Sequence, residues 1–287
     1  MVEMRPRGGR RNYPQTSPFP WRFLVAAVVV ALIGYQVNSS FNLVPKPLSL
    51  VKFIYSHFMT VPTTGQSVDG REYQLFEYVT KNAERGRPDE VIAAIDKYCW
   101  EEGEFLMNVG DVKGQVLDEV VRKVQPSVAV ELGTYMGYGA LRIGRLLPDG
   151  GRLVSIEKYE ENARLAREII SYAGLDDRIE VVVGYVGDGG KTLSLLQANG
   201  ITSIDVAFFD HSKDAYLPDL QSLEDNKMFH KGSVVVADNI LLPGAPEYLS
   251  HVRNSEQWRT DIHHLKVEYQ NLLPDIVAVS TYFPNES

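Results

Sequence analysis

The chain has 287 residues, enough for one large domain or two small ones, and its hydrophobic fraction of 44% and charged fraction of 23% are those of a globular protein. The formal net charge is −8, yet residues 1–59 carry seven Lys and Arg against one acidic residue, so the remainder is more acidic still. An acidic globular part argues against a nucleic-acid partner, because such partners select basic faces. The single cysteine, Cys99, excludes an internal disulfide and a cysteine-based zinc site, and we predict it to be buried on a helix.

The N-terminal segment has the pattern of a membrane anchor. A basic tail over residues 1–22 precedes an uncharged apolar run over residues 23–37, which is shorter than the roughly 20 residues that a spanning helix prefers. A signal anchor is favoured over a cleaved signal peptide, since no clean cleavage site follows the run, and over a buried helix. The arginines predict a short cytoplasmic N-terminus on a single-pass protein of the endoplasmic reticulum or plasma membrane. Residues 38–68, with three prolines, are predicted to be a juxtamembrane linker.

Residues 69–287 are predicted to form one domain in which helices come first and then alternate with strands. Near-continuous apolar strands that alternate with helices predict an α/β fold with a parallel sheet covered on both faces. The last two strands are predicted to form a closing hairpin with Pro274 in its turn. The predicted helices are Arg71–Ala83, Asp89–Glu101, Lys113–Gln125, Gly139–Leu147, Glu161–Ala173, Gly190–Asn199 and Tyr216–Asp225. The predicted strands are Val128–Leu132, Arg152–Glu157, Ile179–Val183, Ile204–Asp210, Ser233–Asp238, Asp261–Tyr269 and Asp275–Tyr282.

Two of these strands end in oxygen ligands. One runs into Asp210 and, three residues later, Lys213, while the other runs into Asp238 and Asn239. Neighbouring parallel strands place their carboxyl ends on one edge of the sheet, where ligands bind. A single Asp after a strand is often only a helix cap, but two together with an adjacent Asn favour a hard metal ion such as Mg²⁺. The pattern predicts a metal-assisted enzyme.

A glycine loop follows the first strand. It contains Gly133, Gly137 and Gly139 after Glu131, and Glu157 ends the next strand, where an acid reaches ribose hydroxyls in nucleotide-binding folds. The glycine spacing is not that of dinucleotide-binding folds, and Glu131 would repel a pyrophosphate. A positively charged sulfonium cofactor suits that acid better, so S-adenosylmethionine is favoured over NAD, and a glycine turn that serves packing alone is the remaining alternative.

Four segments together resemble the catechol O-methyltransferase family, in order and at similar spacing. They are Met107–Gly114, Glu131–Tyr138, Phe209–Pro218 and the stretch from Ala237 to Pro246. The likeness extends from about Glu72 to Tyr282, and the anchor ahead of it resembles the membrane-bound form and its transmembrane relatives. It implies a Rossmann-like class I methyltransferase fold, with a mostly parallel seven-stranded sheet and a C-terminal antiparallel hairpin, in a monomeric catalytic domain that acts on a small-molecule catechol.

The resemblance also implies roles for the residues of the metal site. Asp210, Asp238 and Asn239 would hold Mg²⁺, Lys213 would accept the proton of the attacking hydroxyl, and Glu268 would hydrogen-bond the second hydroxyl.

For S-adenosylmethionine, the resemblance implies a second set of residues. Glu131 and Tyr135 would face the methionine end and Glu157 the ribose, with Met107 near the transferring methyl group. The remaining cofactor contacts implied are Val109, Gly133, Gly137, Tyr138, Gly139 and Asp210.

The chain departs from the family at three positions. Ser212 and Phe105 stand where tryptophans flank the adenine and gate the catechol, and Gly187 lies in a segment that lacks the usual Ser-Gln pair. These departures leave the substrate open between a catechol, another vicinal diphenol and a phenolic metabolite. A non-catalytic, membrane-tethered binding or trafficking partner is the alternative of a different class, and a dehydrogenase is weaker still.

Overall fold

The structure is a computed structural model that describes residues 65–66, 70–101, 106–269 and 273–284. Three helices precede the first strand: α1 Arg71–Asn82, α2 Pro88–Glu101 and α3 Gly110–Val124. The strands are β1 Val128–Leu132, β2 Arg152–Glu157, β3 Ile179–Val183, β4 Ile204–Phe209, β5 Phe229–Ala237, β6 Trp258–Lys266 and β7 Pro274–Tyr282. The later helices are α4 Tyr138–Gly144, α5 Glu160–Ala173, α6 Lys191–Ala198, α7 Tyr216–Asp225 and α8 Pro246–Asn254.

The seven strands form one sheet in the order β3-β2-β1-β4-β5-β7-β6. Strands β1 to β5 run parallel, and β7 pairs antiparallel with both β5 and β6, which confirms the mixed sheet and the C-terminal hairpin. The chain moves outward from β1 in one direction through β2 and β3, and in the other through β4 and β5. The carboxyl ends of β1 and β4 therefore flank the point at which strand order reverses, where open α/β sheets bind ligands.

Strand β4 shows why these apolar runs became buried strands. Val206 and Phe208 pack into the core formed with α1 to α5, whereas Ala207 and Phe209 pack into the core formed with α6 to α8. Because successive side chains of a strand point to opposite faces, a continuous apolar run serves two cores at once.

The C-terminal region differs from the sequence prediction in three respects. Helix α8 was not predicted, although Pro246 stands at its first turn, where proline is favourable. Strand β6 begins at Trp258 and ends at Lys266, so Glu268 lies beyond the strand, and Pro274 is paired with Lys266 as the first residue of β7 and is not in the turn. The shift arises because Trp258 is buried against Phe229 and Tyr282, long-range contacts that local alternation does not reveal.

Within the described ranges, no helix has the length and apolar character needed to cross a membrane. The predicted anchor over residues 23–37 and the predicted linker over residues 38–64 and 67–68 lie outside those ranges.

Candidate active site

The ends of β4 and β5 bring Asp210 and Asp238 to adjacent positions on the carboxyl edge of the sheet. Phe209 is in register with Ala237, and the Asp238 backbone N–H donates to Phe209 O at 3.0 Å. On the other side, the Asp210 N–H donates to Leu132 O at 2.9 Å. Both aspartates are thereby held by backbone ladder bonds that continue one residue past their strands.

The glycine loop passes close to Asp210. Gly133 has a φ of 96°, and a Cβ built there would lie 2.5 Å from the Asp210 carbonyl oxygen. Only glycine accommodates both the left-handed conformation and this approach. The loop after β1 and the end of β4 are therefore packed backbone to backbone.

Lys213 is fixed beside Asp210 by two hydrogen bonds. Its ammonium group donates to Asp210 Oδ1 at 3.1 Å and to the Tyr216 hydroxyl at 2.7 Å. That hydroxyl has one proton to donate and lies within hydrogen-bond distance of two carbonyl oxygens, Phe209 O at 2.7 Å and Asp238 O at 3.1 Å. Burial, followed by the charges of Asp210 and Asp238, raises the pKa of Tyr216 well above its ordinary value, so the hydroxyl keeps its proton. Tyr216, which the sequence analysis missed, connects both strand ends to the lysine.

A second lysine, Lys113, lies at the buried base of the site. Its Nζ atom is 2.8 Å from Asp238, 2.8 Å from Glu268 and 3.0 Å from Asp275, and its side chain is fully buried. Burial acts to lower the pKa of Lys113, but attraction from the three carboxylates, Asp238 first, outweighs it and raises the pKa. Lys113 is therefore a permanent cation at this position.

The pKa of Asp238, one of the predicted metal ligands, is shifted by its buried and charged surroundings. Burial raises its pKa to about 7, opposed by Lys113 and reinforced by the charges of Asp210 and Glu268. Its Oδ1 atom and Oε2 of Glu268 are buried and face the Lys113 ammonium without a well-directed hydrogen bond. Both oxygens lie 2.8 Å from Lys113 Nζ as ion pairs, and a carboxylate oxygen has a further lone pair that can face a cation.

Asn239 and Asp275 form the other wall of the site. Asn239 adopts a left-handed conformation with a φ of 53°, and its Nδ2 atom donates to Asp275 Oδ2 at 2.9 Å. Asp275 Oδ1 accepts the backbone N–H groups of Leu241, at 3.2 Å, and Leu242, at 3.0 Å. This buried carboxylate, predicted only as the start of a strand, organises the whole turn after β5.

Glu268 reaches the site from the segment after β6 and is almost fully buried. A Cβ built at Gly110, the first residue of α3, would lie 2.6 Å from Glu268 Cβ, so a glycine at the helix start permits this approach. The next residue, Tyr269, donates its hydroxyl proton to Asp96 Oδ1 at 2.9 Å, and its ring contacts Trp100 edge-on with centroids 6.0 Å apart. These contacts secure the segment that carries Glu268.

The predicted cofactor acids lie directly behind the glycine loop. Glu157 accepts the backbone N–H groups of Tyr135 at 2.8 Å and Tyr159 at 3.0 Å, and the Tyr135 hydroxyl donates to Glu72 at 2.7 Å. Glu131 is fully buried and accepts a short hydrogen bond from the Ser155 hydroxyl. Burial raises the pKa of Glu131 well above its ordinary value, with Ser155 opposing the shift.

The other predicted cofactor residues line the starts of α3 and α4. Val109 is buried immediately before α3, and Gly137, with a φ of 83°, precedes α4. Tyr138 is buried, and its hydroxyl donates a hydrogen bond to Asp96 Oδ1 at 2.7 Å. Its backbone, rather than its hydroxyl, is therefore the part that adjoins the glycine loop.

The structure describes two of the three positions at which the chain departs from the family, Ser212 and Gly187. His211 Nε2 lies 3.0 Å from Asp219 Oδ2, and its ring stacks on Tyr216 with centroids 4.8 Å apart. Ser212 follows it and hydrogen-bonds Asp214, while Gly187 has the Tyr185 ring 3.6 Å from the position of a Cβ. Phe105 lies outside the described residues.

Among the described residues, no group of three or more His, Cys, Asp and Glu side chains is placed to hold a metal ion. The predicted magnesium set contains two carboxylates and one amide, so its remaining ligands would have to be water or substrate oxygens, as Mg²⁺ commonly accepts.

The fold and this site define a class of protein that the comparisons with known proteins identify. An O-methyltransferase family model matches residues 86–262, and the chain belongs to that family.

A probable O-methyltransferase of Mycobacterium tuberculosis is 49% identical over 226 residues, which is 77% of this chain and 96% of the relative. The catechol O-methyltransferase of Mus musculus is 36% identical over 239 residues, covering 83% of this chain and 89% of the relative. The fold resembles that of a Bacillus cereus O-methyltransferase solved in complex with SAH, with a TM-score of 0.57 and 20% identity over 73% of this chain and 91% of that one.

Proposed function

We propose that this protein transfers a methyl group from S-adenosylmethionine to one hydroxyl of a catechol-type diphenol, with Mg²⁺ bound by Asp210, Asp238 and Asn239. The observation that carries the proposal is the meeting of these three oxygen-bearing side chains with Lys213 at the carboxyl edge of β4 and β5. The family membership of the chain and the 36% identical catechol O-methyltransferase support the reaction class.

The charge of the site supports a divalent cation. Four carboxylates and two ammonium groups converge among the described residues, so the formal charges leave two negative charges uncompensated. The acids are Asp210, Asp238, Glu268 and Asp275, and the cations are Lys113 and Lys213. One Mg²⁺ would neutralise this excess, and the Asp238 carboxylate supplies oxygen of the type that Mg²⁺ prefers.

Lys213 has the geometry of a general base. When bound, Mg²⁺ would hold two adjacent substrate oxygens and lower the pKa of the hydroxyl to be methylated. Lys213 is anchored through Asp210 and Tyr216, so its Nζ atom is held beside Asp210, and as the neutral amine it would accept the hydroxyl proton there. Glu268, which pairs with Lys113, would accept a hydrogen bond from the second hydroxyl.

The glycine loop and its two acids fit the cofactor. We assign Glu157 to the ribose and Tyr135 to the methionine end. The further cofactor contacts that we propose are Val109, Gly133, Gly137, Tyr138, Gly139 and Asp210. Glu131 would support the methionine end of the site from beneath the loop, because its carboxyl group is fully buried and accepts a hydrogen bond from Ser155. Transfer at a sulfonium methyl group needs alignment and electrostatics more than covalent chemistry, which a rigid loop provides.

Exposed apolar side chains near Asp238 and Asn239 could contact the aromatic ring of a substrate. Leu241 and Leu242 follow Asn239 in the turn tied to Asp275 and are 49% and 42% exposed. Trp100, 39% exposed, packs against Tyr269 next to Glu268. The diol end would face the metal while the ring meets these side chains.

We also propose that residues 23–37 anchor this domain, residues 69–287, to a membrane through the linker of residues 38–68. The apolar run and its basic flank carry this proposal. The proposed orientation has the N-terminus in the cytoplasm and the domain on the other side of the membrane. Glycosylation mapping and protease protection of the full chain would test it, and a domain found on the cytosolic side would contradict it.

The function is tested by methyl transfer from S-adenosylmethionine to a simple catechol by the full chain, with Mg²⁺ or with EDTA. We expect product only with Mg²⁺, and none from Asp210→Asn, whereas Asp149→Asn, an exposed acid on the turn before β2, should match the wild type. Equal product in EDTA would contradict the metal assignment. Absence of product despite measurable cofactor binding would turn attention to bulkier diphenols and then to the non-catalytic partner.

A further inference from the structure

The carboxylate of Asp275 is bonded entirely to the base and the turn of the candidate metal site. Its Oδ2 atom accepts from Lys113 Nζ at 3.0 Å and from Asn239 Nδ2 at 2.9 Å, and its Oδ1 atom accepts the backbone N–H groups of Leu241 and Leu242. Asp275 is 1% exposed, so its carboxylate depends on these partners rather than on bulk water.

This arrangement determines which end of the Asn239 amide points away from Asp275 and would be available to a metal ion. A carboxylate oxygen can only accept a hydrogen bond, so the amide nitrogen must point toward Asp275. The two ends of the amide are opposed, and the Asn239 carbonyl oxygen is consequently turned away from Asp275. An amide that was free to rotate would present its nitrogen to the cation in part of its conformations, and a nitrogen carrying two hydrogens cannot act as a ligand.

We propose that Asp275 is a positioning residue for the metal site: it orients the Asn239 amide with its oxygen toward the cation and holds the turn after β5 in the conformation that ligation needs. The inference rests on the proposed magnesium site. Lys113 completes the arrangement, because the same ammonium group bridges Asp275 to Asp238. Residues of this kind, which bond to ligands rather than to the metal, typically change metal affinity by about 10–100-fold when they are replaced.

The test is Mn²⁺ binding by the full chain, measured from the electron paramagnetic resonance signal of the free ion. The measurement is made at a temperature at which circular dichroism confirms that each variant is folded. Asp275→Asn should weaken binding by about 10–100-fold. The matched control is Asp118→Asn, which removes an equally buried acid on α3 that pairs with Arg142 outside the metal site, and it should bind as the wild type does.

A second variant separates orientation from charge. Asn239→Asp adds a negative ligand, which on charge alone should tighten binding, but it removes the donor to Asp275 and sets two carboxylates against each other. We expect weaker binding than in the wild type. The swapped pair Asn239→Asp with Asp275→Asn restores a hydrogen bond of reversed polarity, and it should recover at least several-fold of the affinity lost in each single variant.

The outcomes distinguish this inference from the function on which it rests. If the wild type binds neither Mn²⁺ nor Mg²⁺, the proposed metal site is wrong. If the wild type binds but Asp275→Asn binds equally well, or if Asn239→Asp tightens binding, the positioning role is overturned and the metal site stands. A swapped pair no better than Asp275→Asn would also overturn the orientation argument.

Discussion

Lys113 Nζ lies 2.8 Å from the carboxylate of Asp238, although the two residues are 125 positions apart and both side chains are fully buried. A buried ammonium group next to a proposed metal ligand is an unusual arrangement, since an ion removed from water must be compensated. Glu268 and Asp275 complete that compensation. The base of the site is therefore an ion cluster whose members depend on one another.

Replacing Lys113 should be strongly destabilising. Lys113→Met keeps the volume of the side chain but leaves three buried carboxylates without their shared cation, which should cost about 3–5 kcal/mol of unfolding free energy. Urea denaturation in EDTA measures this cost. The control is Lys81→Met, which removes an exposed i,i+4 pair with Glu77 and should cost about 0.5 kcal/mol or less. Similar losses for the two variants would show that the ion cluster contributes little.

Replacing Lys213 should slow the chemical step with little effect on the cofactor. Lys213→Met removes the proposed base, and we expect kcat to fall by about 10²–10⁴-fold. Calorimetric binding of S-adenosylmethionine should change little, since the lysine bonds the side chains of Asp210 and Tyr216 and, within the described part of the chain, no residue of the glycine loop. A variant with unchanged kcat would exclude Lys213 as the base.

The buried carboxyl group of Glu131 should leave a signature in the pH dependence of stability. Its folded-state pKa is raised by burial above the unfolded value, so the folded chain binds this proton more tightly. Stability from this proton is complete below the unfolded pKa of about 4.5 and is lost as pH rises toward the folded pKa. The unfolding free energy of Glu131→Gln minus that of the wild type should therefore increase from pH 4.5 to neutral. Glu180→Gln, which removes an exposed acid on β3, is the matched control for this difference.

A side chain at Gly133 should be destabilising for two reasons: the left-handed backbone conformation and the close contact with the Asp210 backbone. Gly133→Ala combines a φ of 96° with a Cβ that would lie 2.5 Å from the Asp210 carbonyl oxygen. Gly150→Ala has a similar φ of 78° with nothing within 4 Å, so it reports the conformational cost alone. We expect Gly133→Ala to lose about 1–3 kcal/mol more unfolding free energy than Gly150→Ala in urea titrations. Equal losses would mean that the two backbones can separate without cost.

Cys99 should be unreactive toward thiol reagents in the folded protein. It is 4% exposed on α2, and burial raises the pKa of its thiol well above the ordinary value, so little thiolate is available. An aromatic disulfide reagent should label no thiol in buffer and one thiol per chain in denaturant. Rapid labelling of the native chain would contradict the buried position.

Much of the fold could be predicted from local sequence. The strands over residues 128–132, 152–157 and 179–183 were predicted with their observed bounds, because apolar runs between glycine and proline signals have few alternatives. Helix α8 and the bounds of β6 were missed, since a half-exposed edge strand such as β6 has only weak alternation. Its position depends on Trp258 packing against Phe229, which precedes it by 29 residues in the chain.

The sequence by itself determined the alternation of strands and helices, and with it the meeting of Asp210, Asp238 and Asn239, because parallel strands place whatever follows them on one edge. Only the tertiary structure decided that Lys113 and Asp275 belong to the same site. A hydrophobic period tells which face of a helix is buried, but it carries no information on which distant side chains meet that face. Lys113 occupies the buried face of α3 against the usual preference for solvent, and its position became physically reasonable only once three carboxylates from other elements surrounded it.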